Sequence, residues 1–132
     1  MKQRIKALKD NRGSVHQKHL YELLSNLYPM YHIVYEYEIK QLGMRFDLFV
    51  KELGIAVEYD GHQHNKFVEH FHRNINGYME ASKRDRIKNN FCEENGIKLI
   101  RLEGNWLDKN EQNLKSVIDN TQYPESEYVK NM

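Results

Sequence analysis

Cysteine is almost missing from this chain. Cys92 stands alone among 132 residues, which excludes an internal disulfide framework and a zinc site built on several thiolates. Long apolar runs are missing too. No stretch approaches the roughly 20 residues needed to cross a bilayer, and the basic opening MKQRIKALKDNR lacks the apolar segment of a signal peptide. There is no internal repeat or low-complexity tract. An excess of charge of one sign is also absent: the net charge is +1, which by itself predicts no nucleic-acid partner. These absences predict a soluble, cytoplasmic protein. With 39% hydrophobic residues, the chain can build one modest core, so residues 1–132 read as a single domain.

The distribution of charge says more than its sum. Residues 1–19 carry six bases against Asp10 alone, a net +5, and residues 83–101 carry six bases against three acids, a net +3. Residues 103–132 carry six acids and three bases, a net −3. Two basic segments can converge on a phosphate backbone while the acidic tail faces away. Charge runs taken alone more often mark solvated helix faces.

Hydrophobic periodicity supplies the elements. Residues 1–13 form a basic N-terminal segment. Ser14 reads as a helix N-cap with Gln17 as its capping-box partner, and Val15, Leu20, Leu23, Leu24 and Leu27 follow near helical spacing to about Tyr28. Pro29 stops that helix. YHIVYEYEI alternates as a strand, with Ile33, Tyr35, Tyr37 and Ile39 expected on one face. MRFDLFV alternates next, with Met44, Phe46, Leu48 and Val50 expected opposite Arg45, Asp47 and Phe49. IAVEYD is a third strand that sets Ala56, Glu58 and Asp60 against Ile55 and Val57. Short links predict an antiparallel meander of the three. His62 to Asn76 reads as loop, about Gly77 to Asn95 as a helix, Ile97–Leu102 as a strand, and about Leu107 to Asp119 as a last helix. The order α–β–β–β–α–β within residues 14–102, followed by a helix and tail in 103–132, predicts an α/β fold of the α+β kind, a mixed sheet flanked by helices.

The chemistry concentrates at VEYDGHQH. If the second and third strands are antiparallel neighbours, Asp47 and Glu58 lie side by side, and two carboxylates that close repel unless a proton or cation intervenes. A hard divalent cation fits, and Mg²⁺, with Mn²⁺ as an alternative, suits a site where the substrate supplies phosphate oxygens. The Tyr59 carbonyl between Glu58 and Asp60 is a further candidate ligand. Gly61 turns the backbone, leaving His62 and His64 at the mouth of the carboxylate pair, where a neutral imidazole can take a proton from water. Asp85 is a candidate to orient that imidazole. The plainer readings are Asp47 paired with Arg45 or Lys51 on the sheet surface, and Asp85 paired with Lys88 one helical turn on. Four histidines, His62, His64, His70 and His72, also suggest a transition-metal site, but such sites usually recruit Cys, and Cys92 sits mid-helix as a core residue.

RFDLFVKELGIAVEYDGHQH followed by KRDRIKNNFCEENGIKLIRL resembles the small phage and bacterial nucleases of the PD-(D/E)XK superfamily, within the branch related to very short patch repair endonucleases and its E-D-x-H-D pattern. The resemblance covers roughly Gly13 to Leu102. It implies a restriction-endonuclease-like core, Asp47 and Glu58 as metal-binding carboxylates with the Tyr59 carbonyl, His64 as the catalytic histidine and Asp85 as its partner. The first acid of the pattern falls at Gln17, with Glu22 the next candidate. Asp60 replaces the signature lysine, whose charge passes to Lys66 or Lys88, or whose part is taken by His64; Asp60 then binds metal or orients a neighbour.

The expectation is a Mg²⁺-dependent DNA endonuclease of phage type, acting in the host cytoplasm if phage-encoded. Arg84, Arg86, Lys88, Lys66 and Arg12 are the candidate phosphate contacts, and binding through them should weaken steeply with salt. So small a domain suits a homodimer or a nicking monomer. Two rivals remain: a ββα-metal nuclease using His64, Asn65 and a later His, and a non-catalytic nucleic-acid-binding or regulatory protein on a nuclease fold.

Overall fold

Ser14 opens the first helix as the sequence predicts. Its hydroxyl accepts the Gln17 N–H at 3.0 Å, and the Gln17 side-chain oxygen accepts the Ser14 N–H at 3.3 Å. This reciprocal cap satisfies two backbone donors that a helix start otherwise leaves open. In the computed structural model, which describes residues 14–60 and 75–124 (the side chains of residues 75–78 excepted), α1 is Val15–Leu27. Leu20, Leu23 and Leu24 are its buried stripe, whereas Val15 is exposed.

The chain continues through β1 (Val34–Ile39), β2 (Met44–Val50), a 3₁₀ turn (Lys51–Leu53) and β3 (Ile55–Asp60), then α2 (Ile75–Asn95), β4 (Lys98–Glu103) and α3 (Glu111–Asn120). The expected order α–β–β–β–α–β–α is thus present, and the fold is a mixed α/β one. The sheet order is β1-β2-β3-β4, antiparallel in its first two pairings and parallel between β3 and β4. A parallel pairing needs a crossover, and α2 supplies it. That helix ends in a Schellman turn: Gly96 takes φ +65, and the Ile97 N–H returns to the Cys92 carbonyl at 2.9 Å. Ile97 and Cys92 then share one apolar cluster.

Two clusters define the layers. Leu20, Leu23 and Leu24 of α1, with Leu114 and Ile118 of α3, pack on Leu48, Val50, Ile55, Val57, Ile100 and Leu102. Cys92 and Phe91 of α2 pack with Ile39, Phe46, Phe49 and Ala56. Neighbouring positions on β3 and β4 serve opposite clusters, so α1 and α3 cover one face and α2 the other.

The expected alternation of the first two strands is corrected here. Tyr35 joins the α1 side, while Tyr37 and Ile39 join the α2 side; likewise Leu48 and Val50 lie on the α1 side, while Met44 and Phe46 lie with Phe49 on the α2 side. The sidedness switches between Tyr35↔Leu48 and Tyr37↔Phe46, leaving Glu36 and Asp47 between these pairs. Glu36 sits at φ 54, in the left-handed region that a non-glycine residue rarely occupies. The last helix is corrected as well: it starts at Glu111 rather than near Leu107, because Asn110 and Asn113 form a capping box of their own at 2.9 and 3.2 Å.

Candidate functional site

The β2–β3 ladder runs from Val50↔Ile55 only to Leu48↔Val57, whereas the β3–β4 ladder continues to Asp60↔Glu103. Past Leu48 the second strand therefore parts from the third. The Tyr59 N–H, on the side that β2 has left, donates to Asp47 Oδ2 at 2.8 Å. A carboxylate thus replaces a strand carbonyl in the ladder, and this fixes Asp47 beside the end of β3. The Gln17 side chain of α1 gives Asp47 a second hydrogen bond. The oxygen of the same amide accepts the Tyr35 hydroxyl at 3.3 Å.

Glu58 leaves β3 toward α2. Its Oε2 lies 2.5 Å from Lys88 Nζ, with the two side chains only 16% and 14% exposed. The Lys88 ammonium also donates to the Arg45 carbonyl at 2.7 Å. Arg101, the register partner of Glu58 on β4, brings its Nε to 3.7 Å from Glu58 Oε1. The guanidinium is oriented by α2: Nη1 donates to Asn89 Oδ1 at 2.6 Å, and Nη2 lies 3.4 Å from the Asp85 carbonyl and 3.9 Å from Asp85 Oδ1.

Burial is the largest influence on both acids. It raises Asp47 above the usual carboxylate range, against the lowering effects of the Tyr59 N–H, the Gln17 amide and the Lys88 charge. It raises Glu58 too, although the Lys88 hydrogen bond and charge and the Arg101 charge lower it; the Asp47 charge adds to the rise. The two carboxylates therefore feel each other and share Lys88, yet their protein partners do not fully offset desolvation.

Several expectations can now be placed. Asp47, Tyr59 and Gln17 come together through hydrogen bonds, whereas Glu58 is held from the α2 side and is coupled to Asp47 through charge. Asp47 pairs with neither Arg45 nor Lys51; Arg45 instead lies 3.9 Å from Glu36. Lys88 does not lie on the surface as a phosphate contact, nor does it pair with Asp85: it is turned inward onto Glu58. Arg84 and Arg86 are exposed on α2. Glu22 is exposed on α1, about 140° around the helix from Gln17 at 100° per residue, so it does not accompany that residue. Asp60 is exposed at the end of β3, opposite Glu103. Asp85 borders Arg101. Arg12, His62, His64 and Lys66 lie outside the described residues, as do the other histidines considered for a transition metal. Among the described residues no group of three or more His, Cys, Asp or Glu side chains is arranged to hold a metal. Cys92 is buried, and burial pushes its thiol up to about 11, the behaviour of a core residue.

Two contributors carry no sequence signal of their role. Arg101 falls in a basic run and in the GIKLIRL segment of the resemblance, but its register with Glu58 is a fact of strand pairing. His16 is the second, and no local pattern marks it. Its ring stacks on Tyr59 with centroids 4.6 Å apart and planes 7° from parallel, and its Nε2 lies 3.3 Å from Asn105 Oδ1.

Among known proteins, 60 residues of the chain are 41% identical to uncharacterized protein 033L of Invertebrate iridescent virus 3, covering 46% of this chain and 31% of that protein. A stretch of the same length is 36% identical to uncharacterized protein 307L of Invertebrate iridescent virus 6, covering 46% and 30%. The matches thus span less than a third of the length of these curated relatives. No family model matches the chain, and no solved structure does. Among the described residues no helix is long and apolar enough to cross a membrane.

Proposed function

We propose that this protein is a metal-dependent DNA endonuclease of the PD-(D/E)XK kind, related to the very short patch repair branch. The observation that carries the reading is the pair Asp47 and Glu58, two largely buried acids raised by burial and set where two strands part. The donor set fits Mg²⁺ or Mn²⁺: carboxylate oxygens, with the Tyr59 carbonyl between Glu58 and Asp60, are the hard ligands these ions take. A bound ion would supply Lewis-acid polarisation of a phosphoryl oxygen.

The chain's own residues have separate tasks. Asp47, aligned by Gln17 and the Tyr59 N–H, and Glu58, held by Lys88 and Arg101, present oxygens to the cation. Lys88 takes the charge that the signature lysine carries elsewhere in the superfamily, reaching the site from α2 instead of from β3. Gln17 stands where the pattern has its first acid and acts as a hydrogen-bond donor. His64, aligned by Asp85, is assigned to accept the proton of the attacking water. Arg84 and Arg86 are exposed toward solvent on the same helix and suit contacts to flanking phosphates. The reading places the protein in the cytoplasm, that of the host if it is phage-encoded, with DNA as partner and a homodimer as the form that cuts both strands.

The test is incubation of the purified chain with labelled duplex, nicked, branched and single-stranded DNA in Mg²⁺ and in chelator. Cleavage should require the metal, and Asp47→Ala, Glu58→Ala and His64→Ala should each lower it by about a hundredfold or more, as losses of several kcal/mol in transition-state stabilisation do. Undiminished cleavage by the Asp47 variant would sink the scheme. Glutamine at position 17, where the pattern has an acid, favours one other reading, a non-catalytic nucleic-acid-binding protein on this fold. It predicts salt-sensitive DNA binding with no cleavage in Mg²⁺ or Mn²⁺.

A further inference from the structure

We propose that His16 is a positioning residue: by stacking on Tyr59 and bonding to Asn105, it locks the first turn of α1 to the end of β3 and so sets the two groups that hold Asp47. Those groups are the Gln17 amide and the Tyr59 N–H. His16 is the chain neighbour of one and the ring partner of the other.

The first turn of α1 needs such an anchor. Val15 is exposed, and the buried stripe of the helix begins only at Leu20. Helix starts fray where no tertiary contact holds them, yet Gln17 in that turn must keep its amide on Asp47. The clamp is fixed from the other side too. Tyr59 donates its hydroxyl hydrogen to the Gly104 carbonyl. The Leu107 N–H donates to Asn105 Oδ1 at 3.0 Å, which identifies that oxygen as an acceptor and His16 Nε2 as the donor to it. Gly104, at φ +80, allows the turn that brings the carbonyl and the neighbouring Asn105 to these two rings. Three segments, the start of α1, the end of β3 and the loop after β4, thus meet at one stacked pair. Rings stacked at this separation attract beyond the area they bury, and here the stack joins a helix turn whose own buried stripe begins only at Leu20.

The experiment is a carbon-detected NMR titration of the Asp47 carboxyl in the full chain, for wild type, His16→Gln and His16→Phe. Glutamine is a good helix former without a ring; phenylalanine keeps the stack. The Asp47 midpoint should move up in His16→Gln, because two hydrogen bonds that favour its charged form loosen, and should move less in His16→Phe, which keeps the stack and loses only the bond to Asn105. Tyr59→Leu, which keeps the backbone N–H but removes the other ring, should move it as His16→Gln does. An unchanged midpoint in His16→Gln and Tyr59→Leu overturns the proposal, as does a shift in His16→Phe as large as in His16→Gln. A second measurement, Mn²⁺ binding by calorimetry, rests on the nuclease reading; there His16→Gln should bind about tenfold more weakly or worse, the usual cost of losing a residue that orients a ligand. The two readings fail separately: a wild type that binds no Mn²⁺ sinks the metal site and leaves the titration to decide the clamp.

Discussion

At the scale of single residues, the site is a set of charges in unequal company. Gln17 shows how one side chain can serve two ends, capping α1 through its oxygen and holding Asp47 through its amide. Gln17→Glu preserves the cap, since glutamate is the preferred partner in a capping box. It also places a third carboxylate beside Asp47 in exchange for a donor. The metal-free variant should lose about 1–2 kcal/mol of stability in urea denaturation, as a lost hydrogen bond to a charged group does, and calorimetry should find Mg²⁺ bound more tightly than by wild type. Lys88 is the opposite case. Lys88→Met leaves Glu58 without its nearest cation and should cost about 2–3 kcal/mol, the range for losing a hydrogen bond between charged groups. The Glu58 titration should move further up, and an unchanged midpoint would remove Lys88 from the site. The strands that carry the acids were legible from the apolar alternation, but the side Asp47 takes was not, because β2 changes sidedness at that residue. The inward turn of Lys88 was not legible either, because a lysine on a polar helix looks the same whether it points to solvent or to a carboxylate on a strand thirty residues away.

At the scale of elements, the decisive feature is the point where the sheet changes sidedness. The sequence pattern of β1 and β2 is regular, and regular alternation predicts one face for each apolar set. The structure divides both sets between two layers, with Glu36 at φ 54 opposite the position of Asp47. A left-handed residue of this kind costs about 1–2 kcal/mol and persists where its surroundings impose it, commonly near functional sites. Here it accompanies the parting of β2 from β3 that gives Asp47 access to the Tyr59 N–H. Glu36→Val should destabilise by about 1–2 kcal/mol, since a β-branched residue tolerates this region worst, whereas Glu36→Gly should cost nothing. Chemical denaturation of the two variants checks this, and equal stabilities would show that the backbone at this position is not constrained. The ion pair of Glu36 with Arg45, at 3.9 Å and exposed, is too weak to confuse the comparison.

At the scale of the molecule, two half-buried acids link stability to pH. Both folded-state values lie above the ordinary ones, 3.8 for Asp47 and 4.5 for Glu58. Within the window that opens at those values and extends upward, the folded chain holds more protons than the unfolded one, so stability falls as pH rises through it. In chelator, the Tm of the wild type should therefore rise as the pH is lowered from 7 toward that window. Asp47→Asn, which keeps an oxygen for the Tyr59 N–H, should flatten the slope. Mg²⁺ at pH 7 should raise the wild-type Tm by binding the folded state alone and should do so far less in Asp47→Asn. Calorimetric scans across pH decide both, and identical slopes in the two proteins would refute the coupling.

The sequence by itself determined the order of elements, the capped start of α1, the end of α2 at Gly96 and the strands that carry Asp47 and Glu58, because each of these follows from local signals: side-chain period, cap chemistry and glycine's backbone freedom. Only the tertiary structure decided which strand faces serve which layer, that Arg101 and Lys88 converge on Glu58, and that His16 stacks on Tyr59. Those outcomes depend on strand register and on how far β2 follows β3 before leaving it, and both are set by the packing of distant segments against one another.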